Sequence, residues 1–132
     1  AANTLSGGDG NDTISGSGGT DILIGGNGLE QFIFAALTDS QVGAGVRDII
    51  TDFVSGTDRI SLSSIDANTV TGGDQAFTLI NTAAFSSVAG QLRYEVTGGN
   101  TILEGDVGGD GVADFQIELT GVHSFVAADL IL

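Results

Sequence analysis

Residues 3–34 repeat with a period of nine, and no other feature of the chain restricts its fold so strongly. Gly7-Gly8-Asp9-Gly10-Asn11-Asp12-Thr13-Ile14-Ser15 aligns with the nine residues from Gly16 to Ile24, and these align with Gly25 to Ile33. The eighth position is apolar each time, as Leu5, Ile14, Leu23 and Phe32, and the sixth is Asn3, Asp12, Asp21 and Glu30. A flexible glycine-rich linker has no reason to keep both registers at once.

The pattern fits G-G-x-G-x-D-x-U-x, in which a glycine-rich turn alternates with a short strand of a parallel β-roll and the apolar residue faces inward. Nine residues make half a coil, so loops 18 residues apart stack on the same side and can share a cation. Glycine lets the loop turn its carbonyls towards that ion, and the sixth-position carboxylate supplies charge. One coil cannot bury its own apolar residue, so stacking and ion binding are coupled.

These repeats resemble the RTX (repeats-in-toxin) family. The resemblance implies Ca2+ as the cofactor, shared between the first- and third-position carbonyls and carboxylate of one loop and the second- and fourth-position carbonyls and carboxylate of the next. On this chain it implies a site joining Gly7, Asp9 and Asp12 to Gly26, Gly28 and Glu30, and another in which Ser17, Gly19 and Asp21 meet the loop of Asn3. Gly16, Gly18 and Asp21 would take a further partner near Asp39, where the glycines have gone. Ser17 stands where the pattern has glycine, and Glu30 where it has Asp.

Charge agrees with a cation-binding chain. Seventeen Asp and Glu face three Lys and Arg, a formal net charge of −14, while 41% of residues are hydrophobic. That is too apolar for a disordered acidic tail, so the carboxylates sit on a folded body where they repel one another. Hard divalent cations suit such a field; nucleic acid and anionic membranes do not. No stretch reaches the roughly 18 apolar residues of a membrane span. The 22 glycines and absent proline ask for many tight turns, and with no cysteine, stability comes from packing or ions. The chain opens inside a repeat without a cleavable export signal, and is expected to be a piece of a longer protein with an upstream functional domain.

Beyond Phe34 the repeat stops, and short apolar runs bounded by Gly, Asn, Asp and Ser predict strands over Asp48–Phe53, Arg59–Leu62, Ala76–Ile80, Gln91–Val96, Thr101–Glu104, Phe115–Leu119 and Leu130–Leu132. Gly98-Gly99-Asn100 marks a hairpin, and at most a helical turn is expected around Ala35–Ser40 or Ser64–Asn68. The expected fold is all-β: a short parallel β-roll over residues 3–34, followed by a β-sandwich-like domain over 35–132. Asp48, Asp52 and Asp58 flank strands and are expected to solvate an edge or pair with Arg47 and Arg59.

The run from Arg47 to Leu62, then Gly90-Gln91-Leu92-Arg93-Tyr94-Glu95, then Gly105-Asp106 through Phe115, resemble in this order the carboxy-terminal domain of serralysin-type secreted metalloproteases. Other exported proteins share that domain, so the resemblance implies the export module and not its cargo. Asp129-Leu130-Ile131-Leu132 resembles the acid-then-apolar ending used as an uncleaved signal by type I secretion machinery; a plain final strand is the alternative.

Asp106 to Asp114 resembles a D-x-[DN]-x-D-G calcium loop, with Asp106, Asp110, Asp114 and the Val112 carbonyl as ligands, or equally an ordinary Asp-Gly turn. Catalytic signatures are missing: His123 is the single histidine, there is no H-E-x-x-H, no cysteine and no G-x-S-x-G. The expectation is a non-catalytic, secreted, calcium-ordered folding and export module, with an accessory glycan-binding or adhesive β module as the alternative.

Overall fold

The computed structural model of residues 1–132 contains eleven strands, and its only helices are single 3₁₀ turns at Leu37–Asp39 and Ala127–Asp129. The strands are β1 (Thr4–Asp9), β2 (Thr13–Ile14), β3 (Ile22–Asn27), β4 (Gln31–Ile33), β5 (Asp48–Ile50), β6 (Arg59–Ser61), β7 (Thr78–Leu79), β8 (Gln91–Thr97), β9 (Asn100–Asp106), β10 (Phe115–Leu119) and β11 (Leu130–Ile131). They form a seven-stranded sheet ordered β1-β3-β5-β10-β9-β8-β7 and a four-stranded sheet ordered β11-β6-β4-β2. The all-β expectation holds, and every run predicted as a strand contains one.

The nine-residue period becomes geometry directly. Odd half-coils enter one sheet and even half-coils the other, so β1 pairs parallel with β3 at Leu5↔Leu23, and β2 with β4 at Ile14↔Phe32. The eighth-position residues therefore face each other between the sheets, with Ile14, Leu23 and Phe32 buried. The winding does not end with the repeats. β5 continues parallel beside β3, and β6 beside β4, so both sheets run unbroken past Phe34.

Only then does the topology change. β10, β9 and β8 form an antiparallel meander, and the β8–β9 turn is the two-residue Gly98-Gly99 loop, with φ of +60° and +82°. Both values are positive, as a type I′ hairpin requires and as glycine adopts without strain. Twenty buried side chains, from Ile14, Leu23 and Phe32 to Tyr94, Leu103, Phe115 and Leu130, form one cluster, so repeats and meander share a core. The turn expected at Ala35–Ser40 is present as a 3₁₀ turn; Ser64–Asn68 forms no helix and is held by an Asp66 side-chain turn onto the Asn68 amide at 3.1 Å.

Candidate functional site

The sixth-position acids form two columns, one along each side of the roll. Three carboxylates, those of Asp21, Asp48 and Asp58, reach back to the backbone N–H of the counterpart one coil earlier. On one side the Asn3 amide donates to Asp21 Oδ1 at 2.7 Å, and the Asp21 amide to Asp48 Oδ1 at 2.7 Å. On the other, the Glu30 amide donates to Asp58 Oδ1 at 3.2 Å. Backbone rungs run parallel to these, Gln31 N–H to the Asp12 carbonyl and Arg59 N–H to the Glu30 carbonyl. One oxygen of each of Asp21, Asp48 and Asp58 is thereby spent on joining coils.

Four other carboxylate oxygens have no partner at all: Asp12 Oδ2, Glu30 Oε1, Asp21 Oδ2 and Asp48 Oδ2, each buried. A buried polar atom without a partner is costly, and a buried carboxylate more so. The orphans fall in pairs on successive coils of one side, Asp12 with Glu30 and Asp21 with Asp48. Around the first pair, a Cβ on Gly7 would lie 2.7 Å from Asp12 Oδ2, and one on Gly28 would lie 2.7 Å from Glu30 Oε1. The two orphan oxygens thus stand beside the loop backbones of Gly7 and Gly28. Gly28, at φ +147°, also approaches the Gly10 carbonyl so closely that a Cβ would sit 1.8 Å from it. Only glycine fits there.

The second pair bears on two sequence expectations. The next carboxylate of the column after Asp21 is not Asp39 but Asp48, 27 residues on, while a Cβ on Gly18 would lie 3.7 Å from the Thr38 carbonyl, beside Asp39. Asp39 instead accepts the Ala35 and Ala36 amides at 2.8 and 3.1 Å, turning the chain out of the roll. Nor do Asp48, Asp52 and Asp58 solvate a strand edge or pair with arginine. Asp48 and Asp58 are 0% and 2% exposed, and Asp52 accepts the Gly25 and Gly26 amides at 2.8 and 2.9 Å. Arg47 pairs with Glu118 at 2.9 Å, and Arg59 forms no ion pair. The physical reason is the uninterrupted winding, which carries these acids into the columns.

The electrostatics match crowded, cation-poor carboxylates. Burial pushes Glu30 up to about 7, helped by its hydrogen bond to Asp58 and by the charges of Asp58, Asp12 and Asp52. Burial likewise raises Asp48 to about 6 with help from the charges of Asp21 and Asp39, although the Asp21 amide works against the rise. Nowhere do three or more acidic or imidazole side chains converge, so a cation here needs backbone carbonyls beside its two carboxylates.

The remaining predicted residues lie as follows. Asp9 accepts the Asn27 side-chain amide at 2.8 Å across stacked loops, and Gly26 lies against the Gly8 carbonyl, 1.9 Å from an added Cβ. Gly19 packs against the Ala1 carbonyl, and Ser17 adopts φ +56°. Asp106, Asp110 and Asp114 are not brought to one point. Asp106 accepts the Gly109 and Gly111 amides at 2.6 and 2.8 Å, Asp110 the Val112 amide at 2.9 Å, and Asp114 the Val107 amide at 2.8 Å. Their oxygens serve as caps of the turn. His123 lies edge-on to Phe53, ring centroids 5.8 Å apart, with Nε2 2.8 Å from the Thr120 carbonyl.

Comparison with known proteins sets this geometry in context. The family described as peptidase M10 serralysin C terminal matches residues 5–132. Metallopeptidase AprA of Pseudomonas marginalis is 42% identical over 92 residues, which are 68% of this chain and 17% of the relative; the chain thus corresponds to a small part of that protein. Two solution structures of subunits of the Azotobacter vinelandii mannuronan C5-epimerase share the fold. The AlgE6R3 subunit matches with TM-score 0.58 and 22% identity over 98% of this chain and 73% of that one. AlgE6R2 matches with TM-score 0.50 and 26% identity over 100% and 87%.

Proposed function

The chain belongs to the serralysin C-terminal family of M10 peptidases, and we propose that it is a calcium-ordered folding and export module of a larger secreted protein. The observation that carries this reading is the set of four buried, unpartnered carboxylate oxygens, arranged two by two on stacked coils. Asp12 and Glu30, with carbonyls of Gly7, Asp9, Gly26 and Gly28, would hold one calcium ion. Asp21 and Asp48, with carbonyls of Gly16 and Gly18, would hold another. Bound calcium neutralises each carboxylate pair and ties one coil to the next. The chain's own part is to keep the acids buried and the glycine carbonyls close.

Without calcium the paired acids repel, or take up a proton, and the roll is weakened. Extracellular calcium modules bind with Kd of about 10⁻⁴–10⁻³ M. At ten times Kd each site adds ~1.4 kcal/mol by mass action. Two sites therefore contribute a substantial part of the marginal stability of a domain, about 5–15 kcal/mol. Such a chain stays open where calcium is scarce, which suits threading through a type I exporter addressed by Asp129–Leu132, and folds outside. The reading makes the segment non-catalytic and leaves catalysis to the rest of the parent protein.

Titrating calcium into the metal-stripped chain, followed by backbone circular dichroism and heat release, tests this. The expected result is a cooperative gain of β structure at about 10⁻⁴–10⁻³ M calcium, absent with magnesium and weakened by Asp12→Ala or Asp21→Ala. A fold indifferent to calcium would defeat the proposal and leave an accessory glycan-binding or adhesive module as the better account.

A further inference from the structure

The terminal segment is not a free tail. Asp129 is 0% exposed, and its carboxylate accepts the Ser55 hydroxyl at 2.6 Å, the Gly56 amide at 2.7 Å and the Val126 amide at 3.0 Å. The first two are charge-assisted bonds to a segment more than seventy residues away in sequence. Leu130 enters the common core and pairs parallel with Ile60, and the Leu62 amide donates to the Ile131 carbonyl at 2.8 Å. β11 is an edge strand of two residues. Strands this short hold their place by side-chain anchoring more than by their ladder, and here the anchor is Asp129 with Leu130.

The loop that Asp129 grips also serves the roll. Asp58 accepts the Val54 amide at 2.9 Å with one oxygen and the Glu30 amide with the other. Loop 54–58 thus lies between the terminal acid and the column that holds Glu30. Ordering of the column and seating of Asp129 share this one piece of backbone, which gives the two events a physical link.

We propose that Asp129 is a latch: its seating on Ser55 and Gly56 withdraws the Asp129–Leu132 segment from an exporter when the module folds. The inference rests on the export reading above and adds to it a direction. The same four residues are an address in the open chain and a closing strand in the folded one, so a folded module is no longer a substrate. An acid at 129 serves both states, because it is a free charge in one and a fully bonded cap in the other.

Ser55→Ala probes the latch without touching the terminal segment or the proposed calcium ligands; Ser55 is itself exposed. Hydrogen exchange of the calcium-loaded chain is expected to show slow Leu130 and Ile131 amides. Ser55→Ala is expected to speed them by about ten- to a hundredfold, the effect of losing one hydrogen bond to a charged group, and, because the two events are linked, to move the calcium titration to higher concentration. In a second arm, membrane vesicles bearing a type I exporter are mixed with the metal-stripped and calcium-loaded chains. Sedimentation of the stripped chain alone, with partial recovery by calcium-loaded Ser55→Ala, supports the latch. Equal capture of both forms, freely exchanging Leu130 and Ile131 amides in calcium, or indifference of those amides to Ser55→Ala overturns it. Capture of neither form overturns the export reading, and the latch with it.

Discussion

The roll and the meander are built from the same kinds of residue but satisfy their charges differently. In the meander, Arg93 pairs with Glu104, Gln116 Nε2 donates to the other Glu104 oxygen at 2.7 Å, and Arg47 pairs with Glu118. Every buried acid there has a partner from the chain. In the roll, Asp12, Asp21, Glu30 and Asp48 each keep an oxygen that nothing in the chain meets. The meander's strands of five to seven residues carry their own antiparallel ladders, whereas β2 and β4 have two and three residues and lean on their neighbours. The meander satisfies its buried acids from within the chain, and the roll leaves four buried oxygens that the chain does not satisfy.

The severest challenge to this contrast is Phe32→Ala. Phe32 belongs to the roll but is 0% exposed inside the common core, so its loss should cost about 3–5 kcal/mol. Denaturant unfolding followed at the meander's Tyr94 and by hydrogen exchange in the roll should show both regions destabilised together. A change confined to the roll would split them into separate cooperative units. Calcium removal comes next, with an expected loss of about 3 kcal/mol for two sites held at ten times Kd. Here the regions should part, Leu23 and Ile14 amides opening well before Leu103 and Ile117, as read by exchange. Uniform opening would erase the distinction.

A smaller effect separates the two columns. Asp48→Asn should remove about one calcium equivalent in calorimetry and lower calcium-loaded stability by ~1.4 kcal/mol at ten times Kd. Asp106→Asn should leave the calcium count unchanged, because both Asp106 oxygens are already turned to amides. The gentlest test is pH. In the folded, calcium-free chain, burial pushes the Glu30 carboxyl up to about 7 and that of Asp48 up to about 6, above their ordinary 4.5 and 3.8. Raised folded values mean that the native state holds protons the unfolded state has lost, so calcium-free stability is greatest below about pH 4 and falls as pH rises to about 7. Calcium affinity should rise over the same window, with proton release on binding. The meander should show neither trend.

Much of this was legible in the chain itself. Leu5, Ile14, Leu23 and Phe32 at nine-residue spacing announce the parallel stacking, and alternation in Gln91–Val96 and Phe115–Leu119 announces the meander. Asp12, Asp21 and Glu30 were visible as column members because the glycines around them mark the loops. Asp48 and Asp58 were not. The step from Asp21 to Asp48 is 27 residues and that from Glu30 to Asp58 is 28, where a strict coil would take 18. The extra residues leave the roll through the Asp39 turn and return at β5, so the repeat persists in space after it has stopped in sequence.

What the sequence alone determined was local: an all-β chain, its inward apolar positions, its glycine loops and an acidity that asks for cations. Those properties follow from periodicity and side-chain chemistry, which act over a few residues. Only the tertiary structure decided which acids are buried, which oxygens remain unpartnered and where the terminal acid goes. Asp48 meets Asp21, Asp58 meets Glu30 and Asp129 meets Ser55 through strand pairings between distant segments. Burial and pairing are set by that register, and a one-residue slip of β5 would turn Asp48 to the opposite face.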